Sequence, residues 1–187
     1  MDKEIYSDDN DEVNQPDPKI NLYIGSLWAS RNENELRSKN ISAILCVAFE
    51  CVNQKPNWID DNDYFHIEME DSSDYDLFKD IEPSFNFIHT KLKEGKGVLV
   101  HCKLGISRSA TIVIAYLMAL NKLSFIDAFK MVSDVRSIIN PNLGFCFSLE
   151  GNETLLHHVN LDHDPITIPK RLEYLFVTDE STSDFIW

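Results

Sequence analysis

Cys102 and Arg108 stand six residues apart in the stretch GVLVHCKLGISRSA, residues 97–110, with Gly105, Ser107 and Ser109 close by. A loop from Lys103 to Arg108 can curl so that successive backbone N–H groups point inward, forming a nest that binds anions. Gly105 permits a backbone conformation that other residues resist. A helix opening near Ser107 adds its positive end, and the guanidinium of Arg108 can give two parallel hydrogen bonds to a tetrahedral oxyanion. Lys103, Leu104, Gly105, Ile106, Ser107 and Arg108 therefore read as a cradle for phosphate or a similar dianion. The field that holds such a ligand also stabilises a thiolate. Cys102, at the foot of the cradle, reads as a nucleophile placed under phosphorus.

The cradle needs a strand before it and a helix after it, and both are legible. VLVHC (98–102) reads as a strand, and Ser107–Leu120 is apolar almost all round, as expected of a central buried helix. Upstream, INLYIGS (20–26), SAILCVA (42–48) and YFHIEM (64–69) read as further strands. Asn32 with Glu35 predicts a capped helix through Leu36, and Ser124 with Asp127 a second cap. Ile81, Phe85, Ile88 and Leu92 mark a helical stripe with Pro83 near its first turn. Phe125, Phe129 and Val132 form a second stripe, and a last helix is expected around Phe145 to Leu156. Strands alternating with helices predict an α/β fold, a central, mostly parallel sheet flanked by helices on both faces. Ligands of such sheets bind beyond the carboxyl ends of the strands, where Cys102 falls.

At 187 residues the chain suffices for one ordinary domain with a real core. The net charge is −14, with −5 in residues 1–19, −5 in 151–187 and −4 between. Such a surface repels nucleic acid and anionic membranes, so neither is an expected partner. No apolar run reaches membrane-spanning length, and MDKEIYSDDND is not a secretory signal. The expectation is a cytoplasmic protein, with the nucleus as a second compartment. The four cysteines lack metal-ligand spacing and should be reduced thiols. The His and Asp residues of HHVNLDHD (157–164) are not expected to bind a metal, and the chemistry at Cys102 requires no metal or cofactor. The expected organisation is a disordered acidic segment over 1–18, a catalytic domain over 19–157 and an acidic tail over 158–187.

HCKLGISRS resembles the His-Cys-x-x-Gly-x-Ser-Arg-Ser signature of the cysteine-dependent dual-specificity protein phosphatases. AYLM (115–118), NPNLGF (140–145) and LYIGS (22–26) are similar to that family's surroundings, and the resemblance covers about residues 20–157. HCKLGISRSA also looks similar to the slingshot phosphatases. The resemblance implies a protein tyrosine phosphatase-like fold and hydrolysis through a cysteinyl-phosphate. A compact domain with one lysine among the variable loop positions implies a phosphoprotein substrate, phosphotyrosine as well as phosphoserine or phosphothreonine, with protein kinases among the possible targets. A catalytically weak phosphate-binding module and a phosphatase of non-protein phosphoesters are the alternatives.

A phosphoester leaves poorly unless its oxygen is protonated, so a general acid is required. Glu70, Asp71, Asp74 and Asp76 are the acids at hand. The family's aspartate lies about thirty residues before the cysteine, and that resemblance selects Asp71. It further implies that Ser109 hydrogen-bonds the Cys102 sulfur, that His101 organises the loop and that Asn142 braces it from outside. Cys46, on a strand expected beside the one leading to Cys102, reads as a buried core thiol, and some family members would imply a resolving role for it. KRLEYLF (170–176) has the form of a short docking motif.

Overall fold

The structure, a computed structural model, describes residues 21–159 and 161. The acidic N-terminal segment, KRLEYLF, half of HHVNLDHD and most of the acidic tail lie outside them. Four strands, β1 (Leu22–Gly25), β2 (Ile41–Val47), β3 (Tyr64–Ile67) and β4 (Gly97–His101), form a sheet in the order β1-β4-β2-β3. All three pairings are parallel, with Leu22 opposite Val98 and Cys46 opposite His101.

Alternation along the strands divides the core in two. Leu22, Ile24, Leu45, Val98 and Val100 face the larger helical layer, whereas Tyr23, Ile44 and Leu99 face the smaller one. The small layer holds α1 (Leu27–Ser30) and α2 (Glu33–Ser38). The large layer holds α3 (Phe78–Lys93), α4 (Arg108–Asn121), α5 (Phe125–Val135), α6 (Leu143–Gly151) and α7 (Glu153–His157). Every residue of α4 from Arg108 to Ala119 is buried, as its unbroken apolar run requires. Phe85 of α3 meets Tyr116 of α4 edge-on at 5.4 Å, a geometry that contributes about 0.5–1.5 kcal/mol beyond burial.

Several boundaries differ from the sequence expectation, each for a local reason. α1 is a single turn, capped by Ser26 through Trp28 and Ala29 N–H, and is too short to show a period. α3 opens at Phe78, so Pro83 lies in the second turn and forfeits its bond to the carbonyl four residues back. Burial of Ile81, Phe85 and Ile88 holds the helix through it. β3 ends at Ile67, because the Met69 carbonyl turns to accept from Phe49 N–H and from Arg108. The last helix is two: Asn152 leaves helical geometry, its side chain donating to the Ser148 carbonyl at 2.9 Å. Phe125 and Phe129 are half-buried, and Ala128 and Val132 form the inner face of α5.

Candidate active site

β4 ends at His101, and Cys102 steps off the carboxyl edge of the sheet into the loop that leads to α4. The loop curls around the Cys102 sulfur. Gly105 N–H donates to Sγ at 3.2 Å, and the Ser109 hydroxyl, in the first turn of α4, lies 3.4 Å from it. Gly105 has φ +70, and a Cβ there would meet the backbone of Gly25 at 2.6 Å. Only glycine lets the loop sit this low on the end of β1. Cys102 and Ser109 are buried, Ile106 is half-buried, and Lys103 and Leu104 are exposed at the mouth.

His101 is buried, and its Nδ1 lies 3.1 Å from the Cys102 carbonyl. A carbonyl only accepts, so Nδ1 carries the hydrogen. Burial holds the imidazole at about 4, hence neutral near pH 7, which makes it a fixed donor rather than a cation.

Arg108 is clamped by its neighbours. Its two terminal nitrogens donate to Glu50 at 2.5 and 2.7 Å, and one also reaches the Met69 carbonyl at 3.1 Å. These hydrogen bonds hold the Glu50 carboxyl below the usual carboxylate range, against the opposing effect of burial. Burial works against the Arg108 charge, yet Glu50 keeps it above the ordinary arginine value. The Arg108 Nε is buried without a hydrogen-bond partner.

Asp71 arrives from the loop after β3. Its Oδ1 accepts from the Ser107 hydroxyl at 2.6 Å and from the Asn142 side-chain amide at 2.9 Å, and its Oδ2 lies 3.8 Å from the Arg108 Nε. Asn142 caps α6 through Phe145 N–H and gives its own N–H to the Ser107 hydroxyl. It thus touches both the phosphate loop, through Ser107, and the acid Asp71. Asp71, Cys102, Leu104, Ser107, Arg108 and Asn142 line one cavity of about 370 Å³. Of the other acids, Asp76 accepts from Phe78 N–H at the start of α3, and neither Glu70 nor Asp74 lines that cavity.

Two contributors escaped the sequence reading. Glu50 sits in the single helical turn Phe49–Cys51. Arg136, at the carboxyl end of α5, is buried and donates from Nε to the Gly105 carbonyl at 2.8 Å and from a terminal nitrogen to the Leu104 carbonyl at 3.3 Å. The available signal was a charge inside an apolar stretch: Glu50 between Phe49 and Cys51, Arg136 within VRSII. Cys46 is buried, and that burial pushes its thiol well up. Cys51 is buried as well, and that burial raises its thiol. Among the described residues no three His, Cys, Asp or Glu side chains group as a metal site, and no helix is long and apolar enough to cross a membrane.

A parallel sheet ending in a thiol, an anion-shaped loop, a clamped arginine and a facing carboxylic acid defines the cysteine-dependent phosphatase class, and the comparisons agree. The dual specificity phosphatase catalytic domain matches residues 22–154, and the chain belongs to that family. A probable dual specificity protein phosphatase of Dictyostelium discoideum is 45% identical over 135 residues, 72% of this chain and 33% of the relative. Dual specificity protein phosphatase 1B of Arabidopsis thaliana is 40% identical over 129 residues, 69% of this chain and 75% of the relative. The chain thus spans one third of the Dictyostelium protein and three quarters of the Arabidopsis one. The crystal structure of human DUSP28 superposes with a TM-score of 0.68 at 28% identity, covering 75% of this chain and 96% of that one.

Proposed function

We propose that this chain is an active phosphoprotein phosphatase that accepts phosphotyrosine and phosphoserine or phosphothreonine. The observation that carries the reading is the single cavity in which the Cys102 sulfur, Arg108 and Asp71 converge. Cys102 attacks phosphorus as the thiolate, forming the S–P bond as the P–O bond to the leaving group breaks. Arg108 and the loop N–H groups take the equatorial oxygens, the stabilisation that is usually the largest in such reactions. Asp71 protonates the departing oxygen. Its Oδ1 is engaged by Ser107 and Asn142, which leaves Oδ2 to carry the proton. Water then attacks the cysteinyl-phosphate with Asp71 as base, and the Ser109 hydroxyl supports the leaving sulfur. The reaction closes on inorganic phosphate and the dephosphorylated residue, with the enzyme regenerated.

The test is turnover of an aryl phosphate, followed by a panel of phosphopeptides, phosphorylated kinases included, and phosphoinositides. Turnover of phosphotyrosyl and phosphoseryl or phosphothreonyl peptides is expected. Turnover of phosphoinositides alone would reassign the substrate, and binding of phosphate without turnover of any ester would reduce the chain to a phosphate-binding module.

A further inference from the structure

The geometry points to Arg136 as the positioning residue that turns the N–H groups of the phosphate loop toward the reacting centre, an inference that rests on the phosphatase reading above. A trans peptide unit is planar, with its C=O and the following N–H pointing in opposite directions. Arg136 holds the Leu104 carbonyl on one side of the loop, and the N–H of the same peptide unit, that of Gly105, reaches the Cys102 sulfur at 3.2 Å on the other. Arg136 Nε likewise holds the Gly105 carbonyl at 2.8 Å, which turns the Ile106 N–H away from the arginine, and Ile106 lines the cavity above Cys102. Two adjacent donors of the nest are therefore aimed by one guanidinium that never touches the substrate.

The placement is specific. Arg136 is 6% exposed and closes α5, its own N–H bonded to the Val132 carbonyl. The loop is pinned between this arginine and the end of β1: a Cβ on Gly105 would lie 2.6 Å from the Gly25 carbonyl group and 2.9 Å from a terminal nitrogen of Arg136. Two carbonyls at the spacing of neighbouring peptide units suit the rigid planar fork of arginine. The ammonium of lysine is a point charge on a flexible stem and cannot hold both in the same way.

The experiment compares the parent protein with Arg136→Lys and Arg136→Met for affinity toward inorganic phosphate and orthovanadate, kcat/KM on an aryl phosphate series, and thermal unfolding. Losing bonds from a buried charged donor is expected to weaken oxyanion affinity by about 10- to 100-fold, with a matching loss in kcat/KM. Arg136→Lys, which keeps the charge, should behave more like Arg136→Met than like the parent. The dependence on leaving-group acidity, which reports Asp71, should stay as in the parent. In the parent, the amide signals of Gly105 and Ile106 should shift when orthovanadate binds, a measurement that stands even where Arg136→Met fails to fold. Parent-like oxyanion affinity in Arg136→Lys, or unmoved Gly105 and Ile106 amides in the parent, would overturn the assignment. A parent that binds oxyanions and turns over esters while the variants match it refutes Arg136 alone, whereas a parent inactive on every ester refutes the phosphatase reading.

Discussion

The loop after β4 and the loop after β3 meet over the same cavity and are held in opposite ways. The phosphate loop is fixed mainly through its backbone: Gly105 seated on Gly25, two carbonyls on Arg136 and one amide on the Cys102 sulfur. The acid loop is fixed through side chains reaching in from elsewhere. Ser107 and Asn142 grip Asp71, and the Ser73 backbone packs so closely on Gly144 that a Cβ there would lie 2.0 Å from the Ser73 carbonyl oxygen. Backbone geometry repeats wherever its few required residues recur, and the side chains of Lys103, Leu104 and Ile106 take no part in the contacts that hold the first loop. The second depends on partners that tertiary structure alone brings near.

Replacing Cys102 with Ser attacks the first loop at its chemistry and should abolish turnover while phosphate still binds, because a hydroxyl is a far weaker acid and a poorer nucleophile than a thiol. Turnover at the parent rate would end the covalent mechanism. Replacing Asp71 with Asn attacks the second loop and should lower kcat on a phosphopeptide by about 10²–10⁴. The loss should shrink for leaving groups acidic enough to depart unprotonated. A larger loss in Asp74→Asn or Glu70→Gln would move the acid elsewhere on the loop.

Gly144→Ala sharpens the contrast, since it touches neither loop's chemistry. The new methyl must displace Ser73, two residues from Asp71. Misplacement of this kind costs up to about 10²-fold, expected here in kcat for poor leaving groups only. An equal loss on an activated aryl phosphate would show that the phosphate loop had moved instead.

His101 has the least effect on activity near neutrality, but it makes the first loop sensitive to acid. Unfolded, its imidazole takes up a proton near pH 6.5; folded, only near 4. The unfolded chain binds more protons between those values, so stability falls as pH drops through that window, by up to about 3 kcal/mol. Denaturant titrations at pH 7 and 4.5 should show a smaller difference in His101→Gln than in the parent. An undiminished difference would assign the acid sensitivity to other groups.

The same contrast decides what could be read in the chain beforehand. Cys102, Gly105 and Arg108 were legible because a nest, a left-handed glycine and a helix start are local events written in consecutive residues. The parallel sheet was legible because β2 and β4 are short continuous apolar runs, the mark of strands covered on both faces. Glu50 and Arg136 were not, because each meets the loop across a long stretch of chain, and nothing in FEC or VRSII states which partner it will face. Asn142 was expected against the loop; its hold on Asp71 appears only when α6 is brought beside the acid loop.

The strand order has a kinetic consequence. β4, which delivers the nucleophile, is inserted between β1 and β2, both made much earlier in the chain. Its pairing of Leu22 with Val98 closes one of the widest sequence gaps in the molecule, and such closure is entropically slow. The nucleophile's seat on Gly25 cannot exist until that closure is complete. Chains interrupted before β4 lack the middle of their sheet, leaving β1 and β2 with unpaired inner edges. Refolding assays should therefore recover turnover in the same phase as native sheet structure, with no earlier species able to attack phosphorus.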